Sequence, residues 1–181
     1  MNCLEDQLSA YTLNNAGELS GTVLLASLKS NGGYLAKFKI AVSSNGQKVG
    51  ILCEKPYMKE KNEGVIIKIL DKDLQLILTK DYNYALASMK RRFNVPFINN
   101  NGSLYILKRA RIKTKNTYLL TLIKESGVEE HHDVKLRSMR IADVTAAFNK
   151  DEELIVSGFF AGFKGFAFKG AFTIKYNESS L

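Results

Sequence analysis

The sequence predicts a mainly β, α+β domain, an antiparallel strand-rich barrel or sandwich carrying two or three short helices, with an OB-like barrel as one form of it. Three observations predict it. Apolar residues recur with a period of two over most of the chain, the runs are separated by Asn-Gly and Gly-Gly signals, and only two prolines interrupt 181 residues. At that length, with 45% hydrophobic and 24% charged residues, the chain is expected to form a single domain, 1–181, with a core that needs no disulfide framework.

Leu4, Leu8 and Tyr11 fall at helical spacing behind Glu5 and Asp6, predicting a short N-terminal helix. Strands are expected over Thr22–Lys29, Tyr34–Val42 and Lys48–Glu54, with turns at Ser30-Asn31-Gly32-Gly33 and Ser43-Ser44-Asn45-Gly46, whose glycines supply the positive φ of tight hairpins. Pro56 and the charged run 59–63 form a loop. Val65–Leu70 and Leu74–Thr79 are nearly continuous aliphatic runs joined by Asp71-Lys72-Asp73, the mark of a hairpin deep in a sheet. Tyr82, Ala85, Leu86, Met89 and Phe93 describe the apolar face of a second helix. A third hairpin spans Leu104–Lys113 and Tyr118–Lys124. Glu125 to Asp133 reads as a polar connection, Val134–Ile141 as a strand and Asp143–Phe148 as a short helical piece before an aromatic, glycine-rich end. No overt repeat is visible along the chain.

The two cysteines, Cys3 and Cys53, lack metal-type spacing and read as reduced thiols. Met1 to Leu13 has neither a basic leader nor a continuous apolar run, and no segment approaches the roughly 18 apolar residues that a spanning helix needs. The expectation is a cytoplasmic protein of a cell or infected host with no membrane partner. The lean toward Lys, Asn and Ile suits an AT-rich genome, viral or plasmid.

The charge is more informative. Between Lys80 and Lys115 stand nine basic residues against one acid, Asp81, so the formal excess of +8 falls entirely within this stretch. Lys90, Arg91 and Arg92 close the second expected helix. On the hairpin, alternation places Tyr105, Leu107, Arg109, Arg111 and Lys113 on one face and Leu104, Ile106, Lys108, Ala110 and Ile112 on the other, with Lys115 beyond. Cations with an aromatic ring among them suit nucleic acid, the charges neutralising phosphates and the ring stacking a base. The structural alternative is a solvated edge whose Lys and Arg discourage aggregation.

Residues 158–172 hold six of the ten phenylalanines. Here Lys164-Gly165-Phe166-Ala167-Phe168 resembles the first five positions of the RNP1 motif of RNA-recognition motif domains, which implies aromatics on a strand stacking with bases. The pattern then departs. Lys169 stands where a buried Val is expected, and the last aromatic is displaced from Ala171 to Phe172, so the chain is not assigned to that family. Alternation of Phe166, Phe168, Phe172, Ile174 and Tyr176 with small or polar residues equally describes a half-buried strand, leaving Phe159, Phe160 and Phe163 as the exposed aromatics.

Glu129-Glu130-His131-His132-Asp133 gathers metal-ligand types, but neighbours on an extended chain point to opposite sides and no further cluster completes a site, so a polar turn is expected rather than a metal-dependent nuclease. No P-loop, nucleophile elbow or paired-cysteine motif is present, which argues against an enzyme. The function expected is a non-enzymatic nucleic-acid-binding protein, DNA or RNA, preferring single strands and using no cofactor. Its sites are Lys90, Arg91, Arg92, Tyr105, Lys108, Arg109, Arg111, Lys113, Lys115, Phe159, Phe160, Phe163 and Lys164. The alternative is a protein-interaction or assembly module, an inhibitor of a nucleic-acid enzyme or a structural subunit, which would meet an acidic protein partner or form a homo-oligomer.

Overall fold

In a computed structural model the protein is described for residues 5–30, 33–59, 61–87, 93–112, 115–136, 139–162 and 167–176, and every regular element among them is a strand. β1 (Glu5–Leu13) and β2 (Leu19–Lys29) form a two-stranded sheet. β3 (Lys37–Val42), β4 (Lys48–Glu54), β5 (Asn62–Asp71) and β6 (Leu76–Ala87) form a four-stranded meander, as do β7 (Phe93–Ile98), β8 (Leu104–Ile112), β9 (Lys115–Ile123) and β10 (Glu129–Val134). β11 (Arg140–Phe148), β12 (Leu154–Ala161) and β13 (Phe168–Tyr176) form the last sheet. All pairings are antiparallel, and none of the sheets closes into a barrel.

The sheets pack face to face in chain order, and burial on both faces of the middle two explains their apolar runs. On β4, Ile51 and Cys53 meet Leu25 and Ala26 of the first sheet, while Leu52 turns the other way to Ile98, Leu104 and Ile106. On β8, Leu104 and Ile106 meet the β3–β6 sheet, while Tyr105 and Leu107 pack with Leu120, Val144, Leu154 and Val156. Gly50 permits this closeness: a Cβ there would lie 2.4 Å from Leu104 Cδ1. Each fully buried Leu or Ile contributes about 1.5–3 kcal/mol.

The expected helices are not present among the described residues. The N-terminal one is strand β1; Tyr82, Ala85 and Leu86 belong to β6 and Phe93 to β7, with Met89 outside the described residues; Asp143–Phe148 belongs to β11. In each case tertiary pairing overrides a short helical period: Leu8 and Ala10, two residues apart, pack against the β3–β6 sheet, and Tyr11 of the expected helical face is left exposed. Ser30 to Gly33 does not close a hairpin, because β2 and β3 lie in different sheets. The polar stretch Glu129–Asp133 is no turn either; it is strand β10, in register with Leu119–Ile123.

Six tight turns share one design. At Asn14, Asp71, Asn99, Lys124 and Asn149 the first residue's N–H donates to the carbonyl four residues on, and the fourth residue's N–H returns to the first carbonyl; the turn at Ser43 is one residue longer. The fourth residue has positive φ, with glycine at 17, 46, 102 and 127 but Leu74 and Glu152 elsewhere. Asn14, Asp71 and Asn149 each accept two backbone N–H bonds through Oδ1. Three turns from different sheets are tied together, since Asn100 Oδ1 accepts from Ser44 Oγ and Asn45 N, and Glu152 accepts from Asn100. The tight turns of the three larger sheets therefore gather at one end.

Between the two central sheets lies a buried charge network. Lys108 Nζ donates to Glu63 Oε1 at 2.5 Å and to Asn94 Oδ1 at 3.2 Å, and Asn94 Nδ2 donates to Glu54 and Glu63. Lys108, Glu63 and Glu54 are all at most 2% exposed, and the ammonium lies 4.5 Å from the Tyr84 ring centroid. Lys39 reaches the same group, 3.1 Å from Glu54. Lys108→Met should cost about 3–5 kcal/mol by leaving buried carboxylates uncompensated. Pairing it with Glu63→Gln should recover part of that loss in a urea-unfolding double-mutant cycle; strictly additive losses would show that the pair is not coupled.

Candidate functional site

The structure divides the predicted basic site. Tyr105 is fully buried, its ring 5.5 Å from Phe148, and Lys108 is committed to Glu63; neither reaches solvent. This corrects the expectation of one core face and one cationic face on the hairpin: β8 is enclosed by a sheet on each side, so both of its faces are core along Leu104–Lys108. Arg109 is exposed, and its guanidinium interacts with the Tyr118 hydroxyl. Arg111 and Lys115 flank the β8–β9 connection, opposite Asn116 and Ile112 respectively. Lys90, Arg91, Arg92, Lys113, Phe163 and Lys164 lie outside the described residues.

Register sets the start of β7 beside the basic run of β8: Phe93 pairs with Arg109, where β8 runs on toward Arg111. Tyr118 pairs with both Arg109 and Val134, and six residues after Val134 the chain starts β11 at Arg140, opposite Ala161. Ala161 in turn pairs with Phe168. The same end of the stacked sheets thus holds Arg109, Arg140 and the exposed rings of Phe159 and Phe168, whose centroids are 5.7 Å apart. Phe160 is half-buried over Gly170, where a Cβ would lie 2.7 Å from Phe160 Cζ. The β9–β10 end is different: Lys80 is held by Glu129 at 2.6 Å and also donates to the Gly127 carbonyl.

The His-rich cluster is split by the pleat of β10. Glu129 and His131 face β6, and Glu130 and His132 face the last sheet, where His132 lies 6.3 Å from the Tyr176 ring. His132 Nε2 and Glu130 Oε2, 3.8 Å apart, are buried without a hydrogen bond. Among the described residues no group of three or more His, Cys, Asp or Glu side chains is placed to hold a metal.

On the other face, His131 Nε2 is 2.6 Å from Glu129 Oε1 and 3.2 Å from the Tyr82 hydroxyl, and Thr121 Oγ1 is 3.2 Å from Nδ1. The short contact to a carboxylate places the ring proton on Nε2, so Nδ1 accepts from Thr121. The Tyr82 and His131 rings are stacked, 5.5 Å apart at 28°. With Tyr84, Ala85, Leu119 and Asp133 these residues line a groove of about 400 Å³ between β6 and β9–β10. This groove was invisible in the sequence, because Tyr82 and Tyr84 read as helical and His131 as a turn residue. The signal present was the alternation of Tyr82, Tyr84 and Leu86.

Comparison with protein-family models and with curated proteins finds no match to the chain. No helix among the described residues is long and apolar enough to cross a membrane.

Burial raises the Glu129 carboxyl, but bonds from Lys80 and His131 outweigh it and hold the group below the ordinary glutamate value of 4.5. The Glu130 carboxyl is lowered too, chiefly by Lys124 at 2.8 Å. A depressed carboxyl stabilises the fold above its unfolded pKa, and that contribution is lost as pH falls through the folded value. Glu129→Gln should therefore lower the thermal midpoint at pH 7 by the equivalent of about 0.5–1 kcal/mol. The difference should shrink as pH drops below 4.5; a gap unchanged down to pH ~3 would show that the ion pair contributes nothing.

Cys53 is buried, and burial, only partly offset by Lys68, pushes its thiol up to about 11. In a Cys3→Ser background it should react with iodoacetamide only on unfolding, so its labelling rate should rise with urea in step with the unfolded fraction. Rapid labelling in buffer would contradict the packing of β4.

Proposed function

We propose that the protein is a non-enzymatic binding module for a polyanion, single-stranded nucleic acid in particular, acting in the cytoplasm of a cell or infected host. The observation that supports this reading is the pairing of Phe93 with Arg109, which sets the start of β7, preceded in sequence by Lys90-Arg91-Arg92, beside the basic run of β8. Neither segment contains an acidic residue. Seven cations carried by two sequence segments free of acidic residues suit a phosphate backbone. The exposed Phe159 and Phe168 rings at the same end supply flat apolar surface for unpaired bases, whereas a duplex would bury its bases from them. Tyr105 and Lys108 take no part, since both are enclosed.

Fluorescence anisotropy of labelled single-stranded and duplex oligonucleotides across a salt series tests the reading. Single strands should bind more tightly, with a log–log salt slope that falls by about 0.7 for each phosphate contact removed in an Arg109→Ser, Arg111→Ser, Lys113→Ser, Lys115→Ser variant. Absence of binding at low salt, or a variant with the parental slope, would overturn it.

A further inference from the structure

We propose that Lys108 and Asn94 are the reacting pair of an intramolecular amide bond, in which the Lys108 amine displaces ammonia from the Asn94 side chain and Glu63 carries the protons. The proposal is independent of the polyanion reading, in which Lys108 takes no part.

The register of β7 and β8 sets the two residues directly opposite each other. In the structure their side chains stand in contact and unlinked, Lys108 Nζ lying 3.2 Å from Asn94 Oδ1. The amide carbon is one C=O bond, about 1.23 Å, from that oxygen, so nucleophile and target are already held together. Both hydrogens of Asn94 Nδ2 are engaged, by Glu54 Oε1 at 2.9 Å and by Glu63 Oε1 at 3.0 Å, which fixes the amide with its oxygen toward the lysine. Lys39 pairs with Glu54 at 3.1 Å and donates to the Asn94 carbonyl, tying down the far side of the group. The same Glu63 oxygen that accepts from Nδ2 is 2.5 Å from Lys108 Nζ. One carboxylate oxygen thus touches the nitrogen that must lose protons and the nitrogen that must gain one, which is the place of a proton shuttle. Asn94, Lys108, Glu63 and Glu54 are all at most 2% exposed, and the Tyr84 ring covers the ammonium at 4.5 Å, so water is kept from the reacting atoms.

The step balances within the chain. The Lys108 ammonium gives one proton to the Glu63 carboxylate, and the freed lone pair forms a bond to Asn94 Cγ. Glu63 hands that proton to Nδ2, the Cγ–Nδ2 bond breaks with its electron pair on nitrogen, and ammonia leaves. Nζ then gives one of its two remaining protons to Glu63. A buried ammonium and carboxylate are replaced by a neutral amide and a neutral acid, which removes the desolvation cost of two charges. No oxidant or other co-reactant is consumed.

High-resolution mass spectrometry of the intact protein, incubated at neutral pH until its mass is constant and then denatured, tests the bond. The parental chain should weigh one ammonia less than its sequence requires. After trypsin and then chymotrypsin, which cuts at Phe97 and Tyr105 between the two residues, the fragments carrying Asn94 and Lys108 should remain joined. Lys108→Arg should show neither change, and Glu63→Gln, which keeps both reacting groups, should form the link about a hundredfold more slowly. The parental link is read on the denatured chain, so that result stands whether or not a variant folds. A constant full mass would overturn the proposal. So would loss of ammonia with separable fragments, the mark of an Asn94 side chain cyclised on its own backbone; loss of water, which would join Lys108 to Glu63 instead; or a link formed at the parental rate in Glu63→Gln.

Discussion

A strand enclosed between two sheets has no solvent face on which to place a charge, and the rest of this structure depends on how that constraint is met at Lys108. Its side chain projects from β8 into the space between the two four-stranded sheets and finds Glu63 of β5, Asn94 of β7 and the Tyr84 ring of β6. A purely apolar seam between flat sheets would tolerate sliding by two residues with little penalty. The Lys108, Glu63, Asn94 and Glu54 group tolerates none, because any shift leaves a desolvated carboxylate or ammonium alone. This network therefore fixes how the middle sheets register, and through the middle sheets it fixes where the outer two dock.

That register has consequences at both flanks of the seam. It holds β6 against β9–β10, with a groove lined by Tyr82, Tyr84 and His131 between them. It also sets the start of β7 at Phe93 beside Arg109 of β8. Lys108 thus acts by positioning, although in the sequence it stands as one more cation of the cluster. A lysine flanked by Leu107 and Arg109 carries no local mark of burial; only the presence of Glu63, forty-five residues away in sequence, decides its environment.

Much of the fold was legible. Strand character was plain wherever β-branched runs lay between Asn, Asp and Gly turns, and the hairpins around Ser43 and Asp71 stand as their sequences imply. The elements misread as helical were short and amphipathic, and there a period of 3.6 and a period of 2 both accommodate the apolar residues. Leu8 and Ala10 decide for a strand only once a sheet is present to pack on. The repeating design of the turns was hidden because it resides in backbone bonds and in a positive φ that four glycines, a leucine and a glutamate all adopt. The candidate site was less legible than the fold: charge clustering marked a stretch but could not separate Arg109, which is exposed, from Lys108, which is enclosed.

The two ends of the stacked sheets differ for a reason rooted in that turn design. A three-residue turn is tightly specified, its Asn or Asp occupied by backbone N–H groups, and the turns at Ser43, Asn99 and Asn149 are further locked to one another through Asn100 and Glu152. Little at that end is free to accommodate a partner. At the opposite end the described backbone bonds run from Lys55 N–H to the Gly64 carbonyl, from Lys61 N–H to Met58 and from Met139 N–H to Leu136. Cations and exposed phenylalanines accumulate there, at Arg109, Arg140, Phe159 and Phe168. The end whose turns are bonded through Ser44, Asn100 and Glu152 therefore ties three of the sheets together, while Arg109, Arg140, Phe159 and Phe168 stand at the other.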